Sequence, residues 1–188
     1  MRYYIPTEVF SEYDCVKKHG TEIARYGKKC FIVTGKHSAK VNGALADVTE
    51  TLESAGIAYE VFDQIEENPS IETVMKAREL GLAQGAEFVI GIGGGSPLDA
   101  AKAIAMMIAN PEADETVLYQ PVLLSALPVV AVPTTAGTGS EVTPYSILTI
   151  HKEKTKRSIA HKIFPVLALA DPKYLAFASH AILVNTAV

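Results

Sequence analysis

The chain has 188 residues, of which 48% are hydrophobic and 20% are charged. This length suits one domain or a tight pair, and the composition excludes a mostly disordered chain. With 17 Lys and Arg against 21 Asp and Glu the net charge is −4, and the basic residues form no stripe that could follow nucleic-acid phosphates. We therefore expect no nucleic-acid partner.

The cysteines and the apolar runs indicate where the protein works. Cys15 and Cys30 are too few for a disulfide framework and do not have the C-x-x-C spacing of a metal or redox site. No apolar run approaches the ~20 residues that span a bilayer, and no signal segment opens the chain. We expect a cytoplasmic protein without a membrane partner.

From about residue 14 to residue 127, helix-like stretches alternate with short β-branched runs, which is typical of parallel βαβ units. The pattern predicts an α/β fold with a Rossmann-like parallel sheet flanked by helices. The predicted helices cover residues 14–26, 42–55 and 70–84 and continue from residue 97, with a short one at 115–120. The predicted strands cover residues 30–34, 58–62, 87–90, 127–132 and 166–170.

A charged turn at residues 152–157 separates two strand-like segments, which predicts a β-hairpin insertion over residues 145–161. Near the end of the sequence, Ser179 can cap a helix through the apolar residues 180–188. That stretch ends without a glycine, a proline or a basic last turn, so we expect a helix that has been cut short.

The glycine loop, residues 91–97, follows a predicted strand and precedes a predicted helix. Glycines at positions 93, 94 and 95 leave room for backbone N–H groups to surround an anion at the positive end of the helix. The loop departs from G-x-G-x-x-G at Ser96 and is not a P-loop, so a tight turn without ligand stays open as an alternative. Asp99 and Lys102 are three residues apart and lie on one face of the first turns of this helix. They could belong to the binding site or form only a surface ion pair.

The threonine loop, residues 134–141, also follows a predicted strand. Because ligands of open α/β sheets lie at the carboxyl ends of the strands, we expect both loops to face one crevice, although a flexible surface loop is the alternative. The threonine loop lacks the G-x-S-x-G elbow of serine hydrolases. After the first long strand, Gly35 with Lys36, His37 and Lys40 leaves room for a 2′-phosphate.

Two motifs resemble those of the iron-containing (group III) alcohol dehydrogenases: GGGSPxDxxK at residues 93–102 and PTTAGTGSEVT at residues 133–143. The Ala-Asp-Pro at residues 170–172 resembles that family's last strand. The resemblance covers the amino-terminal half of a family member, whose second half is helical and binds the metal. It implies a dinucleotide-binding α/β domain at residues 1–178 and the start of a truncated helical metal-binding domain at residues 179–188. On this resemblance, we expect the family's helical second domain to be absent from the sequence.

The resemblance also implies roles for individual residues, all of them toward the cofactor. It places the pyrophosphate on the glycine loop, the nicotinamide side on the threonine loop, and a ribose contact on Lys156. Because the NAD-using branch has an aspartate at the position of Gly35, it implies NADP. The implied cofactor-binding residues are Gly35, Lys36, Lys40, Gly93, Gly94, Gly95, Ser96, Asp99, Lys102, Thr134, Thr135, Thr138 and Lys156.

Neither catalytic nor metal-binding residues are expected in this chain, because its five histidines lack ligand spacing. The implied function is the cofactor-binding domain of an NADP-dependent, dimeric oxidoreductase that interconverts a small alcohol or diol and its aldehyde. Fe²⁺ or Zn²⁺ would be bound only in the full-length protein, so we expect this chain alone to be inactive. Two alternatives stay open: a non-catalytic nucleotide-binding or interaction module, and a relative of the glycerol dehydrogenases and sugar-phosphate cyclases.

Overall fold

The structure is a computed structural model that describes residues 4–176. Its strands are β1 (Glu8–Ser11), β2 (Lys29–Gly35), β3 (Ala58–Ile65), β4 (Phe88–Gly93), β5 (Val129–Pro133), β6 (Ile147–Ile150), β7 (Thr155–Ser158) and β8 (Leu167–Ala170). Its α-helices are α1 (Cys15–Lys18), α2 (Gly20–Ile23), α3 (Ser38–Val41), α4 (Ala44–Ser54), α5 (Ile71–Gln84), α6 (Gly95–Ala109) and α7 (Pro172–Leu175). Short 3₁₀ helices cover Ala24–Tyr26, Glu115–Tyr119 and His151–Glu153.

Six strands form one parallel sheet in the order β1-β8-β5-β4-β2-β3, and β6 and β7 form a separate antiparallel hairpin. This arrangement confirms the predicted Rossmann-like sheet flanked by helices and the hairpin insertion. Strand β1 forms one edge of the sheet, and β2 and β3 lie at the other. The chain then crosses from β3 back over β2 to β4 and continues to β5 and β8. Because β4 and β5 are neighbouring parallel strands, their carboxyl ends lie side by side.

Alternating side chains of the strands fill two core layers, one on each face of the sheet. On β2, Phe31 and Val33 pack with residues of α5 and α6, whereas Cys30 and Ile32 pack with residues of α1 and α4. All four side chains are fully buried. Because both faces are covered, the central strands read as continuous apolar runs, which is why the sequence reveals them.

Several predicted boundaries move in the structure. The helix predicted at residues 14–26 is three short pieces, because the backbone leaves the helical conformation at His19 (φ −108°, ψ 27°) and the last piece is a 3₁₀ helix. Asp14 does not cap the first piece; it has a positive φ of 58° and its carboxylate binds Lys173. The helix predicted from residue 42 begins at Ala44 and is preceded by α3. Strand β1 was not predicted, and β4 continues through Gly93, so the glycine loop begins inside the strand.

The hairpin turn is tighter than its charge pattern predicts. Lys154 has a positive φ of 49° and closes the turn, so β7 starts at Thr155 and the basic residues before Ser158 belong to an exposed strand. None of the helices within residues 4–176 is long and apolar enough to cross a membrane. The helix predicted at residues 179–188 and the domain boundary at residue 178 lie outside the described residues.

Candidate functional site

The glycine loop carries the amino-terminal end of α6. Gly93 ends β4 with a φ of +148°, Gly94 is the N-cap, and α6 then runs for 15 residues. Within residues 4–176, no side chain caps this helix end. Its first N–H groups and the positive end of the helix dipole therefore suit an anion such as a phosphate.

The two predicted loops meet directly at this helix end. A Cβ atom on Gly94 would lie 2.9 Å from Oγ1 of Thr135, and one on Gly95 would lie 3.2 Å from Cγ2 of Thr138. The absence of side chains on the glycines thus lets the threonine loop pack against the start of α6. This close packing is a reason for the glycines that the sequence alone did not reveal.

A cavity of about 590 Å³ opens beside this contact, and we call it the crevice. Of the predicted site residues, the crevice brings together Gly95, Ser96, Asp99, Thr138 and Lys156. Its other lining residues are Asn68, Pro69, Ser140, Thr143, Tyr145, Ile147, Thr149 and Ser158. The hairpin therefore forms one wall of the crevice and the two loops form the other.

Asn68 connects the walls of the crevice and was missed by the sequence analysis. Its backbone N–H donates to Oγ of Ser96 at 3.1 Å, and its Oδ1 accepts from Nζ of Lys156 at 2.7 Å. Its carbonyl oxygen accepts from Oγ1 of Thr149 at 2.9 Å. The sequence signal is the Asn-Pro-Ser before α5, because asparagine is among the few residues that tolerate the positive φ of 58° found here.

Asp99 and Lys102 are not a surface ion pair. The Lys102 side chain is fully buried and is not part of the crevice lining, whereas Asp99 is partly exposed there. Burial lowers the pKa of Lys102 to about 8, against the opposing effect of the Asp99 carboxylate, whose Oδ1 lies 3.6 Å from Nζ. The surface alternative considered for these two residues is wrong.

Other predicted site residues lie outside the crevice. Thr134 is buried and its N–H donates to the carbonyl oxygen of Gly93 at 2.9 Å. Gly35 ends β2, and Lys36 and Lys40 follow it on the surface. The ammonium group of Lys40 binds the carboxylate of Asp63 on β3 and holds the pKa of Asp63 below its usual value.

The residues present do not fit the metal that the resemblance implies. Among residues 4–176, no group of three or more His, Cys, Asp or Glu side chains is placed to hold a metal ion. A metal would therefore have to be bound by groups other than these. The fit to a dinucleotide is different, because the uncapped helix end, the glycines and the crevice suit a pyrophosphate and its riboses.

The sheet order, the uncapped end of α6 and the crevice define a Rossmann-like domain whose candidate site lies at the carboxyl ends of its strands. Comparison with known proteins gives the family. The sequence profile of the iron-containing alcohol dehydrogenases matches residues 6–172. The chain belongs to this family.

Solved and curated relatives agree with this assignment. The crystal structure of an iron-containing alcohol dehydrogenase from Thermotoga maritima superposes with a TM-score of 0.93 and 45% identity, covering 98% of this chain and 51% of that one. An NADPH-dependent butanol dehydrogenase of Clostridium saccharobutylicum is 36% identical over 77% of this chain and 39% of its own length. An NADH-dependent butanol dehydrogenase B of Clostridium acetobutylicum is 34% identical over 92% and 45%. The chain thus spans about 39–51% of the length of these relatives.

Proposed function

We propose that this chain is the cofactor-binding domain of an NADP-dependent oxidoreductase that interconverts a small alcohol or diol and its aldehyde. The observation that carries this proposal is the meeting of the glycine and threonine loops at the uncapped end of α6, beside a crevice of about 590 Å³. When bound, the nicotinamide supplies the hydride chemistry, and a divalent metal held by other residues would polarise the substrate oxygen.

The residues of this chain bind and orient the cofactor. The backbone N–H groups of Gly95 and Ser96 would bind the pyrophosphate at the helix end, and the hydroxyl of Thr138 would face the same groups. Lys156, held at Asn68, would donate to a ribose or phosphate oxygen from the hairpin wall. These groups fix the dinucleotide between two walls, and the walls exclude water from one side of it.

The preference for NADP is argued from the end of β2. Gly35 leaves space where a carboxylate would bind ribose hydroxyls, and the exposed Lys36 and Lys40 add positive charge for a 2′-phosphate. The named relatives include one NADPH-dependent and one NADH-dependent enzyme, so the relatives do not favour either cofactor. The preference for NADP is supported by these local residues alone. The cysteines, both unbridged and buried, suit the reducing cytoplasm that we propose as its location.

Calorimetric titration of the chain with NADPH and NADH tests the proposal. We expect NADPH to bind roughly 5–150-fold more tightly, the range that one or two charge-assisted contacts provide. Gly35→Asp should weaken NADPH far more than NADH. The backbone accepts this side chain, because a Cβ on Gly35 would lie 3.4 Å from the nearest atom, the carbonyl oxygen of Ile65.

Gly35→Ala is the matched control, since it adds the Cβ without the charge. Equal affinities of the wild-type chain for the two cofactors, or tighter binding of NADH, would contradict the NADP preference. Failure to bind either one would contradict the proposed function as a whole.

A further inference from the structure

Lys102 makes contacts that a cofactor-binding lysine would not need. Its ammonium group donates to Oγ of Ser140 at 2.8 Å and to the carbonyl oxygen of Tyr145 at 2.7 Å. Together with the nearby Asp99 carboxylate, these acceptors surround the charge. Because the side chain has no exposed surface, no donor is left to point into the crevice.

Asp99, one turn earlier on α6, binds the same two segments through different atoms. Its Oδ1 accepts from Oγ of Ser140 at 2.6 Å, and its Oδ2 accepts from the N–H of Ile147 at 2.9 Å. Its carbonyl oxygen accepts from Oγ of Ser146 at 2.6 Å. The Ser140 hydroxyl is used in both senses, since it accepts from Lys102 and donates to Asp99.

These contacts connect three separate parts of the crevice. Ser140 belongs to the threonine loop, and Tyr145, Ser146 and Ile147 are the consecutive residues that lead into the hairpin. Both segments are fastened to one turn of α6, the helix whose first residues carry the glycine loop. Thr138, two residues before Ser140, packs against Gly95. The hydrogen bonds to Ser140 therefore also help to position the threonine loop against the glycine loop.

We propose that Lys102, together with Asp99, is a positioning residue that holds the threonine loop and the hairpin at a fixed spacing from the start of α6 and does not touch the cofactor. The inference rests on the proposed function, because it concerns the crevice that would hold the dinucleotide. When one member of a fully hydrogen-bonded buried group is removed, the polar groups that remain lose their partner, and this costs stability. Removal of the ammonium group therefore loosens both walls.

The test uses the chain with NADPH as the probe and two readouts. Lys102→Met should weaken NADPH binding at least about tenfold. In the cofactor-free protein it should also speed amide hydrogen exchange in residues 138–147, while circular dichroism shows the fold retained. Lys76→Met is the matched control, because it removes an exposed lysine charge from α5 and should change neither readout.

Ser140→Ala is a second variant that keeps the lysine and removes only the shared hydroxyl. It should speed exchange in the same residues to a smaller degree, and its effect on NADPH affinity should be less than additive with that of Lys102→Met. If Lys102→Met fails to fold, Ser140→Ala carries the test alone. Weaker binding with unchanged exchange in the cofactor-free protein would show that Lys102 contacts the cofactor, and unchanged binding and exchange in both variants would also overturn the proposal.

The two proposals fail in different ways. If the wild-type chain binds neither NADPH nor NADH, the proposed function fails, whatever the exchange rates show. If the wild type binds and the variants keep both their affinity and their exchange rates, only the positioning role fails.

Discussion

The three successive glycines at the end of β4 are required for two different physical reasons. Gly93 has a left-handed φ of +148°, and a Cβ there would lie 2.6 Å from Cγ of Pro97. Gly94 and Gly95 have ordinary backbone angles, and what they need is space beside Thr135 and Thr138. A side chain at Gly95 would therefore disturb the threonine loop as well as any phosphate bound at the helix end.

A double-variant cycle separates these two effects at Gly95. Gly95→Ala alone should weaken NADPH binding by about tenfold or more, because the added Cβ would crowd the proposed pyrophosphate site and Cγ2 of Thr138. Thr138→Ser removes that methyl group and keeps the hydroxyl. If the Cβ blocks the pyrophosphate, the double variant stays weak, as measured by calorimetry. Full recovery of affinity would instead mean that Gly95 serves only the packing of the loops.

Asp63 opposes the proposed 2′-phosphate site, because it occupies the ammonium group of Lys40. Asp63→Asn should raise the affinity for NADPH by roughly 2–5-fold, the scale of one partly exposed ion pair, and leave NADH binding unchanged. Titrations at constant ionic strength measure this effect. Glu60→Gln, on the same strand, makes an equal change in net charge and is the control. An equal gain in affinity for NADH would contradict this prediction, because NADH has no 2′-phosphate.

At the scale of elements, α6 packs against β4 where a glycine of the strand faces a small residue of the helix. Gly91 is in the middle of β4, and a Cβ there would lie 2.8 Å from Cβ of Ala101 and 3.2 Å from Cδ2 of Leu98. Ala100, Ala101, Ala103 and Ala105 of α6 are fully buried and belong to the same core cluster as residues of α5 and β2. This close packing holds the amino-terminal end of α6 at the level of the crevice.

Gly91→Ala should therefore lower the free energy of unfolding by about 1–3 kcal/mol, since overpacking forces helix and strand apart. Denaturant unfolding followed by circular dichroism gives this value. Gly35→Ala is the control, because its Cβ would have its nearest contact at 3.4 Å, and it should be close to neutral. Combining Gly91→Ala with Ala101→Gly should cost less than the sum of the single changes. Strict additivity would show that the two residues do not clash.

The hairpin is the other element that shapes the crevice, although it is separate from the main sheet. The N–H of Thr149 donates to the carbonyl oxygen of Pro69 at 2.8 Å, and Ser70 forms an isolated bridge with Thr149. Ser70 also caps α5 by accepting from the N–H of Thr73. The hairpin is thus attached at the start of α5 as well as at α6, which makes it a fixed wall.

At the scale of the whole molecule, the buried Lys102 makes stability depend on pH in the alkaline range. Its pKa falls from the ordinary 10.5 to about 8 because of burial, against the charges of Asp99 and Glu141. Between these values the unfolded chain binds the proton and the folded chain does not. The stability that this shift contributes is therefore fully present above pH 10.5 and is lost as the pH falls through about 8.

We expect the free energy of unfolding of the wild type to rise from pH 8 to pH 10.5 relative to that of Lys102→Met. In the difference between the two free energies of unfolding, the contributions of the other groups that titrate in this range cancel. Urea unfolding at several pH values measures it. A difference that stays flat, or falls, across this window would mean that Lys102 keeps its charge in the folded state.

Sequence patterns predicted the sheet, the hairpin and the pairing of two loops, because buried parallel strands and glycine turns leave local signatures. They missed β1, a short edge strand in which three of the four residues are exposed. They also missed Asn68, whose role comes from neighbours far along the chain. The burial of Lys102 was unpredictable for the same reason, since its acceptors come from residues about 40 positions away, at Ser140 and Tyr145.

The position of β1 in the sheet has a consequence for how the protein is made. Glu8 pairs with Leu167, and the N–H of Cys15 donates to the carboxylate of Asp171, so the start of the chain is completed by segments synthesised much later. At ~5–20 residues per second, roughly 10–30 s pass on the ribosome before β8 exists. The two loops and the hairpin that line the crevice are all translated before β8. During that interval β1 has no partner and one edge of β5 is open, so translation delays the closing of this side of the sheet until its last strand emerges.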